Sequence, residues 1–98
     1  NSFALPNYKI NYIEPGKRPV SSMTPLIALN EDKSVKLVAG SSGGTRIITS
    51  TALVAAKNLL LDRDIVESVD DYRVHHQLCP DEVLYEDGFE DVIKKFFF

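Results

Sequence analysis

The sequence predicts a fold of the α+β class, because β-prone runs and helical periodicity occupy separate stretches of one short chain. Two apolar runs, residues 26–29 and 35–39, flank the polar stretch 30–34 and predict an antiparallel hairpin. After a glycine-rich turn, apolar residues recur at helical spacing. The chain has 98 residues, enough for a single small domain, given roughly 100–200 residues per domain.

The longest predicted element is a helix over residues 46–61. One apolar stripe comprises Ile48, Ala52, Ala55 and Leu59, and an adjoining stripe comprises Leu53, Ala56 and Leu60. A helix that is apolar over so much of its circumference must be packed against neighbours on more than one side.

The remaining elements are short. Asp62-Arg63-Asp64 predicts the end of the long helix and the N-cap of a second helix that ends near residue 70. Residues 72–80 are expected to be irregular, and residues 82–86 to hold one more strand. A terminal amphipathic helix is predicted from Phe89, Val92, Ile93 and Phe96, which are spaced i, i+3, i+4 and i+7. Residues 1–25 contain four of the five prolines and are expected to form an extended loop.

Composition and charge narrow the functional class. The chain is 44% apolar and 26% charged, fractions typical of globular proteins. Its net charge is −3 and its basic residues do not cluster, so no nucleic-acid partner is expected. The single cysteine, Cys79, cannot form an internal disulfide. The chain begins with Asn1 and ends on three phenylalanines. Because a water-exposed apolar tail is unusual, we expect a single incomplete domain, residues 1–98, of a longer protein.

The turn at residues 40–45, Gly-Ser-Ser-Gly-Gly-Thr, lies between a predicted strand and a predicted helix. Glycines there allow positive φ and leave backbone N–H groups open to an anion beside the positive helix terminus. It is not a nucleotide-binding P-loop, because no Gly-Lys-Ser/Thr follows at the required spacing. Two interpretations stand: a tight structural turn, or a backbone cradle for an anion or oxyanion.

Three further clusters have both a structural and a functional interpretation. Ser21 and Ser22, between two prolines, can bind a carboxylate or cap turns in a surface loop. His75-His76 with Cys79 suggests a metal or nucleophile site, but the chain has no further Cys or His to complete one, so solvated or core histidines are favoured and no metal is expected. Five acidic residues from position 62 to position 71 are expected to cap helices and face solvent rather than to act as paired catalytic carboxylates.

Three sequence blocks together resemble the γ-glutamyltransferase family, also called γ-glutamyltranspeptidase or glutathione hydrolase. They are GKRPVSSMTP at 16–25, GSSGGTRI at 40–47 and YRVHHQL at 72–78. The similarity extends from about residue 13 to about residue 86 and also holds for the spacing between the blocks. It implies a fragment of an N-terminal-nucleophile hydrolase, a four-layer αββα sandwich built from a large and a small subunit after self-cleavage. By position, this chain corresponds to the C-terminal portion of the small, catalytic subunit.

The resemblance also implies residue roles. Ser21 and Ser22 would hydrogen-bond the α-carboxylate of the γ-glutamyl group, and the backbone N–H groups of Gly43 and Gly44 would form the oxyanion hole. The implied reaction cleaves the γ-glutamyl amide of glutathione through an acyl-enzyme and transfers the acyl group to water, an amino acid or a peptide. It requires no cofactor. The implied partners are the large subunit and the rest of the small subunit, at the extracellular face, secreted or tethered.

Some parts of the family pattern are absent from this chain. The family's nucleophile is a threonine at the cut N-terminus of the small subunit, and no residue here takes that role, so this chain alone is expected to be inactive. Residues 72–76 read Tyr-Arg-Val-His-His where the family more often has Pro-Arg-Leu-His-Asn, which indicates a divergent member. The alternative function is therefore a non-catalytic binding or structural homologue.

Overall fold

The computed structural model describes residues 6–91, in which helices and strands both occur. Its elements, in chain order, are a 3₁₀ turn at Lys9–Asn11, β1 Leu26–Leu29, β2 Val35–Ala39, α1 Arg46–Leu60, α2 Ile65–Asp70, β3 Val74–His75 and β4 Leu84–Tyr85. Apart from the 3₁₀ turn, residues 6–25 form no regular element, as the prolines predict. Neither helix of this part of the chain is long and apolar enough to cross a membrane.

The predicted hairpin is confirmed with its predicted bounds. β1 and β2 pair antiparallel, with Leu26 opposite Ala39, and the register shifts once near Leu29. Local hydrogen bonds close the connecting loop. The Asn30 N–H donates to the Ser34 carbonyl at 2.9 Å, and the Ser34 N–H donates to Asp32 Oδ1 at 2.9 Å. The Ser34 hydroxyl also donates to this carboxylate, and these bonds lower the pKa of Asp32.

The long helix is confirmed, and the described part of the chain covers only some of its apolar surface. The residues that α1 buries are Thr51, Val54 and Ala55, whereas Ile48 and Ala52 are exposed. Of the residues in the two apolar stripes, only Ala55 is buried. Because α1 is apolar on several sides, its periodicity does not identify the face that packs against β2, where Leu37 is buried. The buried face includes Thr51, a polar residue that is not counted when apolar stripes are identified from the sequence.

The second helix and its cap are confirmed. The Asp64 carboxylate accepts hydrogen bonds from the backbone N–H groups of Val66 at 2.8 Å and Glu67 at 3.3 Å. These N–H groups lack partners within the helix, so an aspartate at this position stabilises the first turn. Ser68 is fully buried, and its hydroxyl donates to the Asp64 carbonyl at 2.7 Å.

One strand was missed. Residues 72–80 were expected to be irregular, but Val74 and His75 form β3, which pairs antiparallel with β4 through the partners Val74–Tyr85 and His75–Leu84. The predicted strand at 82–86 is confirmed in a shorter form. A two-residue strand is too short to show a periodicity, and its partner residues lie nine and eleven positions away along the chain. Of the predicted terminal helix, only residues 89–91 are described, and they are helical; Val92, Ile93 and Phe96 lie outside the described residues.

An ion-pair cluster joins the two helices. The Asp71 carboxylate, just after α2, accepts Lys57 Nζ from α1 at 2.7 Å and Arg63 Nη1 at 2.9 Å. The Lys57 hydrogen bond is the main cause of a lowered pKa of Asp71, and burial opposes it. The cluster therefore ties α2 to α1 on the side that leads into β3.

Replacing Asp71 with asparagine is expected to destabilise the protein in a pH-dependent way. Since the native pKa lies below the ordinary value of 3.8, the contribution of this carboxylate is fully present above pH 3.8 and is lost as the pH falls through the native pKa. Urea-denaturation midpoints measured at pH 7 and at several values below pH 4 should show the gap between Asp71→Asn and wild type closing in acid. The control Asp70→Asn removes an adjacent exposed carboxylate. A gap that stays constant with pH, or one equal to that of the control, would contradict the assignment.

Candidate active site

The glycine turn between β2 and α1 has an unusual backbone. Gly43 has φ +130° and Gly44 φ +61°, both in the positive range that favours glycine, whereas Gly40 does not. The carbonyls of Gly43 and Gly44 accept N–H groups of the first turn of α1, from Arg46 at 3.2 Å and Ile47 at 3.3 Å. Within residues 6–91, the N–H groups of the two glycines donate to no acceptor. Two backbone donors are thus left open at the positive end of a helix.

The serine block lies against this turn. The Ser22 hydroxyl donates to the Gly44 carbonyl at 2.6 Å, a contact across 22 residues of sequence. Its neighbour Ser21 is exposed, and Ser21 Oγ accepts the backbone N–H of Met23 at 3.0 Å. The structure therefore brings together the two sequence blocks that carry all four predicted site residues.

A model of the family described as Gamma-glutamyltranspeptidase matches residues 1–97 of the chain. The chain belongs to the γ-glutamyltranspeptidase family. It is 47% identical over 93 residues to scoloptoxin SSD20 of Scolopendra dehaani, an alignment that covers 95% of this chain and 47% of that protein. It is also 47% identical over 76 residues to glutathione hydrolase 2 of Arabidopsis thaliana, covering 78% of this chain and 13% of the plant protein.

Solved structures similar to this chain are also γ-glutamyltranspeptidases. A mutant γ-glutamyltranspeptidase of Helicobacter pylori superposes with a TM-score of 0.79 and 37% identity, and the match covers all of this chain and 55% of that one. The fold is accordingly a fragment of the N-terminal-nucleophile hydrolase fold, as the resemblance implied. The chain spans about half or less of the length of each of these relatives.

Beside the glycine turn of this γ-glutamyltranspeptidase chain is an open groove of about 380 Å³. Its lining combines Gly43 of the turn and Arg46 of α1 with Arg73, which precedes β3, and with His75 and Tyr85 of the β3–β4 pair. The Arg73 guanidinium donates to the carbonyls of Val69 and Asp71, so it holds the end of α2. The groove therefore gives solvent access to the turn from the side of β3.

His75 is buried, and both of its ring nitrogens are hydrogen-bonded. Gln77 Nε2 donates to the Cys79 carbonyl at 2.7 Å, so Gln77 Oε1 is the atom that faces His75 Nε2, at 2.9 Å. His75 Nε2 is consequently the donor in this contact, and Nδ1 lies 2.7 Å from the Thr49 hydroxyl, which also lies 3.1 Å from the Arg46 carbonyl. With both nitrogens satisfied, His75 is a structural histidine that joins β3 to α1, in line with the core-histidine interpretation of the sequence.

The other candidates do not line this groove. His76 Nε2 is 3.1 Å from Asp81 Oδ1, and Cys79 is exposed with a free thiol. No group of three or more histidine, cysteine or acidic residues able to hold a metal ion occurs within residues 6–91. Of the acidic run, Asp64 caps α2 and Asp71 is the centre of the ion-pair cluster.

Two threonines that support the site were not recognised from the sequence. The Thr24 hydroxyl donates to the Ser22 carbonyl at 2.9 Å, and Thr49 holds His75. Thr24 follows Ser22 by two residues, a spacing at which a side-chain hydroxyl can bond a nearby backbone group. This spacing could have identified Thr24 from the sequence. Nothing local identifies Thr49, because its partner is 26 residues away.

Proposed function

We propose that the chain is the C-terminal part of the small subunit of a γ-glutamyltranspeptidase, and that the complete protein cleaves the γ-glutamyl amide of glutathione and related compounds. An acyl-enzyme forms, and the acyl group passes to water, an amino acid or a peptide. The observation that carries the proposal is the 2.6 Å hydrogen bond from the Ser22 hydroxyl to the Gly44 carbonyl, since it joins the carboxylate-binding block to the proposed oxyanion hole.

In the proposed reaction, attack on the γ-glutamyl carbonyl converts its oxygen into an oxyanion. The N–H groups of Gly43 and Gly44 stabilise this charge, and their lack of acceptors within residues 6–91 supports the role. Donors that are already oriented before the reaction need no rearrangement when the charge develops. The chemistry needs no metal and no organic cofactor.

The substrate's α-carboxylate is assigned to the block that contains Ser21 and Ser22. Hydroxyl groups held in a proline-flanked segment lose little conformational freedom on binding, which favours a fixed position for the carboxylate. With the carboxylate at residues 21–22 and the carbonyl carbon at residues 43–44, the γ-glutamyl group bridges two segments that are already in contact.

The nucleophile and the remaining substrate contacts are assigned to parts outside this chain. We propose a threonine at the N-terminus of the small subunit as nucleophile, its own amine as base, and a large subunit as partner. The complete protein is proposed to act at the extracellular face, secreted or membrane-tethered.

The test measures turnover of a γ-glutamyl anilide by the complete protein and by the 98-residue chain alone. The complete protein should release the aniline and transfer the acyl group to added glycylglycine, whereas the chain alone should match the buffer, since it lacks the nucleophile. Turnover by the chain alone that Gly44→Val abolishes would overturn the assignment. A complete protein that binds a γ-glutamyl compound without turnover would instead support the non-catalytic homologue.

A further inference from the structure

We propose that Thr49 and His75 are positioning residues for the oxyanion hole. Together they hold the first turn of α1 against β3, and this turn in its place holds the peptide group that carries the Gly44 N–H. The inference rests on the proposed function, because it takes the Gly44 N–H to be an oxyanion donor. It gives a part in the reaction to two residues outside the four predicted site residues.

The direction of the Gly44 N–H is set by its own peptide group, which also contains the Gly43 carbonyl. That carbonyl accepts the backbone N–H of Arg46, the first residue of α1, at 3.2 Å. Packing within residues 6–91 adds little restraint, since a Cβ on Gly44 would meet no atom of that part within 4 Å. The orientation of this donor therefore depends on where the first turn of α1 lies.

Thr49 connects this first turn to β3. Its hydroxyl lies 3.1 Å from the Arg46 carbonyl and 2.7 Å from His75 Nδ1, a residue 26 positions further along the chain. The peptide group of the Arg46 carbonyl also contains the Ile47 N–H, which donates to the Gly44 carbonyl at 3.3 Å. Thr49 thus contacts a peptide group that itself bonds the glycine turn.

His75 is itself held in place. Its side chain is 7% exposed, and Gln77 Oε1 lies 2.9 Å from Nε2. Its backbone pairs with Leu84 of β4. Just before β3, the Arg73 N–H donates to Glu86 Oε2 at 2.9 Å, and the Arg73 guanidinium bonds the end of α2. Because β3 is tied to both β4 and α2, it can keep the first turn of α1 in one position.

The experiment compares Thr49→Val and Thr49→Ser in the complete protein, with a γ-glutamyl anilide as substrate. Valine has nearly the shape of threonine but no hydroxyl. Thr49→Val should lower kcat by about five- to fifty-fold, less than the loss of a donor itself, with KM nearly unchanged, because the oxyanion develops only in the transition state. Thr49→Ser keeps the hydroxyl and should restore most of kcat.

The matched control is Thr51→Val, the same change two residues further along α1. Thr51 is 2% exposed, and its hydroxyl has no hydrogen-bond partner within residues 6–91. Thr51→Val should keep the kcat of wild type. An equal loss of kcat in Thr49→Val and Thr51→Val, or a Thr49→Ser variant as slow as Thr49→Val, would overturn the positioning role.

Two substitutions of His75 separate its two contacts. Asparagine places a polar atom near the position of Nδ1, and glutamine places one near the position of Nε2. His75→Asn can therefore keep the contact with Thr49, whereas His75→Gln can keep the contact with Gln77. We expect His75→Asn to retain more kcat than His75→Gln. The opposite order would contradict an action of His75 through Thr49.

Amide hydrogen exchange tests the anchor without turnover. In a peptide covering residues 43–50, the N–H groups that bond the glycine turn, those of Arg46 and Ile47, should exchange faster in Thr49→Val than in wild type or Thr51→Val. Unchanged exchange in Thr49→Val would overturn the proposal. A wild-type protein without any turnover would overturn the proposed function instead, and the exchange rates would still decide whether Thr49 holds the first turn of α1.

Discussion

Replacing Gly44 with valine is expected to lower kcat of the complete protein by about 10²–10³, the cost of losing one oxyanion-hole donor. Gly44 has φ +61°, a conformation in which a β-branched side chain is strained, so valine would turn the Gly44 N–H away from the oxyanion. The effect should fall on kcat more than on KM, because the ground-state carbonyl carries less charge than the tetrahedral intermediate. Steady-state kinetics with a γ-glutamyl anilide measure both constants.

Two matched variants distinguish a loss of catalysis from a loss of folding stability. Gly16→Val introduces the same side chain at φ +82° with no atom within 4 Å, so it reproduces the backbone strain away from the turn. Gly40→Val adds valine near the turn at a position without positive φ. Thermal melting is recorded for all three variants. If Gly16→Val or Gly40→Val loses as much kcat as Gly44→Val, in proportion to lost stability, the turn is architecture only and the oxyanion-hole assignment falls.

Removing both hydroxyls, by Ser21→Ala together with Ser22→Ala, is expected to lower kcat/KM by about ten- to a hundred-fold or more. Hydrogen bonds to a charged group contribute about 1.5–3 kcal/mol each, which sets the lower part of this range. The double variant also removes the hydrogen bond that joins the serine block to the glycine turn. The quantity to measure is kcat/KM at substrate concentrations well below KM.

The control for this double variant is Ser34→Ala, which removes an exposed hydroxyl from the β1–β2 loop. Its kcat/KM should stay close to that of wild type. An unchanged kcat/KM in the Ser21, Ser22 double variant would reject any role of this block in binding the γ-glutamyl carboxylate, whatever its contacts in the free protein.

Elements defined by neighbours along the chain were predicted well. The hairpin matched residue for residue, because two short apolar runs and the polar loop between them, with Asn30 and Ser34, are local features. The cap of α2 followed from Asp64, whose side chain reaches N–H groups only two and three residues away. Such contacts depend on few other parts of the molecule, so a short stretch of sequence contains the information for them.

The candidate site was predicted only in part. The glycine turn was recognised from residue types, and its positive φ angles at Gly43 and Gly44 agree with that reading. The roles of Ser21 and Ser22 came from family resemblance and still await experiment. That the Ser22 proton is directed to Gly44 is a fact of geometry, and no spacing rule connects residues 22 positions apart.

By itself, the sequence determined the α+β class, the strand and helix order up to α2, and the membership in the γ-glutamyltranspeptidase family. Tertiary structure alone decided which face of α1 is buried, that β3 exists, and how Thr49, His75 and Gln77 connect β3 to α1. The reason is the same in each case. A helix that is apolar on several sides, a two-residue strand and a buried histidine have no local preference strong enough to choose among alternatives, so the choice depends on partners that only folding brings close.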